Sequence, residues 1–385
     1  MVRIHALAAG GDGVGRDPEG RVVFVPYTAP GDRVRVRLAR VRQRHAHGSV
    51  LEILEPGPGR VAPKCPVFGR CGGCAWQHLD YAVQLEAKAG IVRDALARIG
   101  GLEQTGSPEI HSSPQPYGYR GRVRVSVEKG RAGFRRRGSR ELCPVEHCPV
   151  LTPALDRELA LLSSSRPERD GEWELAAAGE RTRAVALAGR RGERLVHEVG
   201  AERIATSPGV FFQANALLLE TLAQRVAECA GEGRSAVELY AGAGLFTLPL
   251  SRRFEALLAV EGNAAAAADL ARNLADAGAL QVTARAAPVE DVLRELDGEA
   301  PDALVLDPPR TGLPRGGAAR LAAVAAKRIV YLSCDPATLA RDLRTLGEAG
   351  YTLRSVEAFD LFPQTPHVET LAVMESGGDD RRGRC

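Results

Sequence analysis

Cys334 stands where a thiol could act as a nucleophile. The apolar run at residues 329–332 predicts a buried strand, and Asp335 and Pro336 are suited to the N-cap and first position of a following helix. A helix N-terminus favours a thiolate and lowers the thiol pKa, which makes Cys334 a candidate nucleophile. The alternative is a buried structural cysteine, since free cysteine is among the most buried residue types.

A second set of cysteines has the spacing of a metal site. The candidate ligands are Cys65, Cys71, Cys74 and either Cys143 or Cys148. Four thiolates hold either zinc or an iron–sulfur cluster. The C-x5-C-x2-C spacing, the adjacent prolines and the glycine pair before Cys74 favour a cluster over zinc, because zinc more often shows paired C-x2-C spacing. The spacing alone leaves both choices for the fourth cysteine open.

The composition predicts a multi-domain protein of the cytoplasm. A chain of 385 residues suggests two or three domains, and it contains neither a long apolar run nor a signal-peptide pattern. Eight cysteines in such a protein indicate metal binding or catalysis rather than disulfides. The net charge is only +3, so any surface for an acidic partner must be local.

Residues 1–58 predict a small β-barrel. Glycines punctuate short strands, and the alternating sequence RVRVRL at residues 33–38 gives one arginine face and one apolar face. A basic face on a small barrel suits a nucleic-acid backbone, although a solvated strand face is the alternative. The glycine-rich opening, VVFVP and PGDRVRVR resemble a TRAM domain, which is a small RNA-binding barrel similar to the OB fold.

The pattern of short strands and polar turns in residues 59–205 predicts a β-rich central domain around the metal site, with helices at 81–99 and 151–162. From residue 206 to 377 strands alternate with helices, which predicts an α/β fold with a doubly wound parallel sheet. We expect residues 378–385 to form a disordered tail.

The α/β region carries the features of a cofactor site. The glycine-rich loop at 241–244 follows a strand, and Glu261 ends the next strand about 20 residues later, where an acid suits a ribose hydroxyl pair. Asp307 and two prolines end a further strand. The motif ELYAGAG resembles the first motif of S-adenosylmethionine-dependent methyltransferases, which implies a Rossmann-like domain.

Almost the whole chain resembles the RNA uracil-C5 methyltransferases, and in particular their iron–sulfur branch that modifies ribosomal RNA. The resemblance is carried by CGGC, FFQAN, ELYAGAGLFTLPL, LDPPRTG, YLSCDPATLARDL and FDLFPQTPHVETLAV. It implies methylation of C5 of a uridine in RNA, with 23S ribosomal RNA as the first choice and transfer RNA as the alternative. We expect a monomer that binds RNA, S-adenosylmethionine and a [4Fe-4S] cluster.

The resemblance also implies roles for individual residues. Cys334 is the nucleophile and Glu369 the base that removes the C5 proton. The residues at the S-adenosylmethionine positions are Gln213, Tyr240, Glu261 and Asp307; Phe211 and Asp307 border the uracil. The cluster ligands become Cys65, Cys71, Cys74 and Cys148, which leaves Cys143 spare.

Two positions depart from the family pattern, which often has asparagine where Leu245 and Asp335 stand. The first change removes a hydrogen bond to the cofactor, and the second places a carboxylate beside the thiol. Two other functions compete with uracil-C5 methylation. An amino-group methyltransferase acting through Asp307 needs no Cys334, and a non-catalytic RNA-binding protein needs no cofactor.

Overall fold

The computed structural model describes residues 1–102, 107–189 and 192–377, so the predicted tail at 378–385 lies outside the described residues. The first five strands form a closed barrel in the order β1-β2-β3-β5-β4. They are β1 (Val2–Leu7), β2 (Gly13–Arg16), β3 (Val22–Val25), β4 (Arg33–Val41) and β5 (His45–Glu55). Val34 is fully buried while Arg35 and Arg37 are exposed, so the alternation in β4 places its arginines outside the barrel.

Among the described residues up to Thr206, two helices and eight strands follow the barrel. The elements are α1 (Tyr81–Arg98), β6 (Glu109–His111), β7 (Arg122–Glu128), β8 (Arg131–Arg135), β9 (Leu142–Pro144), α2 (Pro153–Ser165), β10 (Gly171–Ala178), β11 (Arg181–Ala186), β12 (Leu195–Val199) and β13 (Glu202–Thr206). Strands β11-β10-β7-β8-β9 form a sheet, and β12 and β13 pair as a separate hairpin. Helix α2 covers this sheet with Leu155 and Leu159, both fully buried.

The C-terminal part is an eight-stranded sheet with helices on both faces. Its elements are α3 (Leu219–Ala230), β14 (Gly233–Leu239), α4 (Thr247–Ser251), β15 (Phe254–Glu261), α5 (Ala264–Ala277), β16 (Val282–Ala286), α6 (Val289–Glu295), β17 (Ala303–Leu306), α7 (Gly317–Ala323), β18 (Arg328–Ser333), α8 (Pro336–Glu348), β19 (Tyr351–Phe359) and β20 (Glu369–Ser376). The strand order is β16-β15-β14-β17-β18-β20-β19-β6. Both faces of β18 are buried: Val330 and Leu332 enter one core and Ile329 and Tyr331 the other, which explains its unbroken apolar run.

One strand corrects the prediction of a parallel sheet. Strands β14 to β18 are parallel as predicted, but β20 lies antiparallel between β18 and β19. The connection from β19 to β20 is a nine-residue segment at 360–368 with no helix, and parallel neighbours need a longer crossover connection. This antiparallel return brings the start of β20 to the edge where β17 and β18 end.

Two elements of the predicted central domain pack with the C-terminal sheet. Helix α1 shares a core with α8, in which Val92 and Leu96 are buried with Leu339 and Leu343. Strand β6 pairs in parallel with β19 and becomes the outer strand of the sheet. The segment 59–205 is therefore divided between the antiparallel sheet and the C-terminal sheet. Among the described residues, the structure contains no helix that is long and apolar enough to span a membrane.

Candidate functional site

Cys334 and Glu369 face each other at the edge of the C-terminal sheet. In the antiparallel β18–β20 ladder Ser333 pairs with Thr370, so the next pair outward is Cys334 and Glu369. Asp307 follows β17, the parallel neighbour of β18, and therefore lies at the same edge. Three groups separated by up to 62 positions in the sequence meet here because the carboxyl ends of the parallel strands share one edge with the start of β20.

The surroundings of Cys334 favour its neutral thiol. Burial raises the pKa of Cys334 to about 11, the carboxyls of Glu369 and Asp307 add to the rise, and Arg310 opposes it. The prediction that the helix N-terminus lowers this pKa is therefore wrong in direction. Arg310 is the cationic group near the thiol, and sequence reasoning gave it no role although it directly follows the Asp-Pro-Pro motif.

Asp335 occupies the helix N-terminus that follows Cys334. Its carboxylate accepts hydrogen bonds from the backbone N–H groups of Ala337 (3.0 Å) and Thr338 (2.9 Å), and so it caps α8 as predicted. These N–H groups carry much of the positive end of the helix dipole, and the capping carboxylate compensates it. The helix start is thus stabilised by Asp335 rather than used by Cys334.

The cap gives a direct stability prediction. We expect Asp335→Ala to destabilise the protein by about 1 kcal/mol, because two N–H groups of α8 lose their acceptor. Asp335→Asn keeps an acceptor oxygen and is expected to retain wild-type stability. Urea denaturation of the three proteins measures the difference, and equal midpoints for Asp335→Ala and wild type would contradict the capping role.

Glu369 and Asp307 form a pair of buried, mutually repelling carboxyls. Burial raises the pKa of Glu369 well above its usual range, the nearby Asp307 raises it further, and Arg310 lowers it. Burial raises the pKa of Asp307 to about 7, while the amide of Gln213 donates to its Oδ2 at 3.4 Å and limits that rise. Oε1 of Glu369 is buried without a hydrogen-bond partner among the described residues. A carboxyl held in this way is suited to take a proton from a bound molecule.

The glycine-rich loop leaves room for a ligand beside Glu261. Tyr240 and Gly242 have φ of 63° and 58°, in the left-handed region that a non-glycine residue rarely adopts. A Cβ atom added to Gly242 would meet no described atom within 4 Å, so open space borders the loop. Glu261 accepts from the N–H of Gly242 at 2.8 Å and of Asn263 at 2.6 Å, which orients its carboxylate at the end of β15.

Glu238 is a further acid that sequence reasoning overlooked. It lies on β14, it is 1% exposed, and both its carboxyl oxygens are buried without a hydrogen-bond partner among the described residues. Burial raises its pKa to about 8, with Thr247 acting in the opposite direction. Its signal in the sequence was an acid inside an otherwise apolar strand, AVEL.

A cavity of about 430 Å³ borders the cysteines and reaches Arg310, which follows the Asp-Pro-Pro motif. The lining residues include Cys65, Cys71, Cys74, Cys148, Arg120, Phe211, Arg310 and Phe362. Phe211 is 69% exposed, which is unusual for a phenylalanine and leaves its ring free to stack on a ligand. The cavity therefore links the cysteines with Phe211 and Arg310.

The four cysteines predicted as ligands line that cavity together. Burial raises the pKa of the Cys148 thiol to about 12, and the nearby Cys65, Cys71 and Cys74 thiols add to the rise. Cys143 is buried in the core under α2 instead. In the described parts of the chain, no group of three or more His, Cys, Asp or Glu side chains is arranged to hold a metal ion. The four predicted ligands therefore line one cavity, but their arrangement is not that of a metal site.

Comparison with known proteins identifies the family. Residues 201–376 match the tRNA (uracil-5-)-methyltransferase family, and residues 1–51 match the TRAM domain. The chain is 34% identical to an RNA methyltransferase of Thermosynechococcus vestitus over 438 aligned positions, which cover 97% of each chain. It is also 34% identical to the 23S rRNA (uracil(1939)-C(5))-methyltransferase RlmD of Halomonas elongata, covering 98% of this chain and 90% of the relative.

The chain belongs to the RNA (uracil-5-)-methyltransferase family. Its fold is similar to the crystal structure of Pyrococcus abyssi tRNA (uracil-54, C5)-methyltransferase in complex with S-adenosyl-L-homocysteine. That similarity has a TM-score of 0.76 at 24% identity and covers 97% of this chain and all of the other. The predicted uracil-C5 methyltransferase family and the N-terminal TRAM barrel are confirmed.

In this methyltransferase the environment of Leu245 differs from the one that a cofactor-binding asparagine would need. Its side chain is 7% exposed and belongs to the core formed with Phe246 and Leu248. A leucine side chain has no polar atom, so Leu245 cannot donate the hydrogen bond that an asparagine side chain would offer to a ligand.

Proposed function

We propose that this methyltransferase transfers a methyl group from S-adenosylmethionine to C5 of a uridine in 23S ribosomal RNA, through covalent addition of Cys334 to C6 of the uracil. The observation that carries the proposal is the meeting of Cys334, Glu369 and Asp307 at one sheet edge, in mutual electrostatic contact. An amino-group methyltransferase would have no task for the first two of these groups.

The covalent step answers a chemical difficulty. C5 of uracil is too weak a nucleophile to attack a sulfonium methyl group unaided. The Cys334 thiol first gives its proton to solvent. Addition of the resulting thiolate to C6 moves electron density to C5 and forms an enolate, so C5 can take the methyl group from the sulfonium. Glu369 then removes the C5 proton, the C5–C6 double bond re-forms, and the thiolate leaves. The proton ends on Glu369 and S-adenosylhomocysteine is the second product.

The raised pKa values fit this sequence of roles. A thiol that is neutral at rest is protected from unwanted reaction, and Arg310 beside it can stabilise negative charge on sulfur once the substrate is bound. A carboxyl with a raised pKa is a stronger base when it ionises, which suits Glu369 to removing a proton from carbon.

The open space beside the glycine-rich loop supports S-adenosylmethionine as the methyl donor. The residues in position to hold it are Gln213, Tyr240, Glu261 and Asp307. When bound, S-adenosylmethionine supplies an electrophilic methyl group. Glu261 is oriented to accept ribose hydroxyls, and the carboxyl of Asp307 lies between the loop and Cys334, where its charge would favour a cationic sulfonium. Calorimetry with S-adenosylhomocysteine tests this and separates the enzyme from a non-catalytic RNA-binding protein.

Phe211 and the basic barrel surface support RNA as the substrate. The target uridine must leave its stack to reach Cys334, and the exposed ring of Phe211 lies on the cavity beside Arg310. Arg35 and Arg37 project from β4 into solvent and can contact phosphates of flanking RNA.

Ribosomal RNA is proposed over transfer RNA because the similarity to RlmD extends over nearly the whole of both chains at 34% identity. The structural similarity to the transfer RNA enzyme concerns the fold. Mapping of 5-methyluridine in total RNA from a deletion strain tests the target. Loss from 23S ribosomal RNA supports the proposal, and loss from transfer RNA alone contradicts it.

We further propose that Cys65, Cys71, Cys74 and Cys148 hold a [4Fe-4S] cluster. Four thiols that converge on a cavity large enough for several atoms suit a cluster, whose ligands lie farther apart than those of one tetrahedral ion. The chemistry of methyl transfer needs no electron transfer, so the cluster would organise the surrounding chain.

A pair of cysteine variants tests the ligand set. We expect protein purified without oxygen to contain iron and acid-labile sulfide, and Cys148→Ala to lose both because one ligand is missing. Cys143→Ala, which alters a buried thiol in the neighbouring core, serves as the matched control and is expected to retain them. Iron loss in Cys143→Ala alone would reverse the assignment, and zinc in place of iron would contradict the cluster.

A further inference from the structure

The segment 360–368 connects β19 to Glu369 and is buried for most of its length. Asp360, Leu361 and Gln364 are each no more than 2% exposed. A buried connection must find partners for its backbone polar groups within the protein. The partners here come from the segment that carries the cysteines, from α1 and from the residues before β7.

Every polar atom of Gln364 makes a hydrogen bond. Its backbone C=O accepts from the N–H groups of Ala75 (3.0 Å) and Trp76 (2.9 Å). Its backbone N–H donates to Oε1 of Gln84 at 2.8 Å, and Nε2 of Gln84 donates back to Oε1 of Gln364 at 3.1 Å. Nε2 of Gln364 donates to the C=O of Pro116 at 3.2 Å.

The backbone of Gln364 is strained as well as held. Its φ is 68°, in the left-handed region, which is unfavourable for a non-glycine residue. Such a conformation persists only where the surrounding contacts impose it. Two neighbouring carbonyls are also fixed: the hydroxyl of Tyr119 donates to Pro363 at 2.9 Å, and Nζ of Lys88 donates to Phe362 at 3.0 Å.

The carboxyl of Glu369 has little support of its own, although its backbone pairs with Phe359 in the β19–β20 ladder. Oε1 of the carboxyl is buried without a hydrogen-bond partner among the described residues, so its placement depends on where the backbone enters β20. Cys334 lies on a different connection, between β18 and a helix capped by Asp335. The hydrogen bonds that hold the segment 360–368 therefore bear on the base, and none of those described above involves Cys334.

We propose that Gln84 and Tyr119 are positioning residues for proton removal by Glu369, and that the cysteine-bearing segment acts on catalysis through Gln364. This inference rests on the proposed covalent mechanism. Cys74 is bonded to Ala75, one of the two donors to Gln364, so the same stretch of chain that lines the cysteine cavity fixes the connection to the base. Loss of the hydrogen bonds from Gln84 or Tyr119 slows proton removal and release of the RNA, and leaves the formation of the covalent adduct unchanged.

The test measures the two halves of the reaction on one protein. A 23S ribosomal RNA transcript with 5-fluorouridine reports formation of the covalent adduct, because the fluorine at C5 cannot leave as a proton. The same transcript with ordinary uridine reports release, through the lifetime of the adduct on denaturing gels. The variants are Gln84→Met and Tyr119→Phe, and Tyr351→Phe is the matched control because it loses an equivalent buried bond to the C=O of Ala326 (2.8 Å).

We expect both variants to form the 5-fluorouridine adduct at the wild-type rate and to release uridine RNA roughly tenfold more slowly, since a small displacement of a reacting group is enough for such a loss. Tyr351→Phe is expected to match wild type in both assays. Tyr119→Phe removes a single hydroxyl, so it carries the test even where Gln84→Met folds poorly.

Two results would overturn this inference without affecting the proposed mechanism. The first is release of the RNA at the wild-type rate in Tyr119→Phe. The second is equal slowing of adduct formation and release, which would show a general structural role. Absence of any adduct in the wild-type protein would overturn the covalent mechanism and this inference with it.

Discussion

Cys334→Ala is expected to lower methyl transfer by roughly 10⁴-fold or more, because removal of a catalytic nucleophile generally has effects of that size. It is also expected to abolish the covalent adduct with 5-fluorouridine RNA. The alanine side chain fits the half-buried site at the end of β18 without new steric contacts, so the fold is expected to be retained. Denaturing gels with radiolabelled RNA measure the adduct directly.

Cys229→Ala is the matched control for the nucleophile. Cys229 is another half-buried thiol of the same part of the chain, and its Sγ lies 3.9 Å from Oε1 of Glu357, away from the catalytic edge. We expect it to form the adduct like wild type. An adduct that persists in Cys334→Ala would disprove the nucleophile assignment.

The pH dependence of adduct formation follows from the raised thiol pKa. Only the thiolate attacks C6, and burial raises the pKa of Cys334 to about 11, so the thiolate fraction grows as pH rises from 7 to 9. The rate is therefore expected to increase with pH over this interval in wild type. A flat profile would indicate that bound substrate brings the thiol pKa below 7.

Glu369→Gln is expected to form the covalent adduct with ordinary uridine RNA and to accumulate it. Glutamine cannot take the C5 proton, so the methylated adduct cannot eliminate the thiolate, and turnover falls by roughly 10²–10⁴-fold, the usual contribution of a general base. Single-turnover experiments separate fast methyl transfer from slow release. Glu375→Gln, on the same strand but in a partly exposed ion pair with Arg328, is the control and is expected to turn over normally.

The same substitution is expected to stabilise the protein at pH 8. Burial raises the pKa of Glu369 well above its usual range, so the folded state holds the proton more tightly than the unfolded chain. Stability is then lost as pH rises from the unfolded pKa of about 4.3 through the raised folded pKa. Glutamine carries no such penalty, and we expect a Tm increase of roughly 2 °C or more at pH 8. A lower Tm for the variant would show that the carboxylate makes a favourable contact in the folded state.

Local sequence patterns predicted the individual elements well. Asp335 and Pro336 marked the start of α8, and alternation marked β4, because capping and side-chain direction depend on neighbouring residues only. The antiparallel direction of β20 and the placement of α1 and β6 against the C-terminal sheet were missed. Those features depend on which surfaces meet after folding, and an apolar helix face does not specify the partner that it will cover.

The sequence by itself determined the family, the barrel and the residue types available for chemistry, because motifs such as LDPPRTG and YLSCDPATLARDL are local and specific. Only the tertiary structure decided the state of those residues. The pKa of Cys334 is raised rather than lowered because the thiol is buried and because the carboxyls of Glu369 and Asp307, which come from other strands, lie near it. A pKa depends on every charge and on the burial around a group, and those are set by contacts between distant parts of the chain.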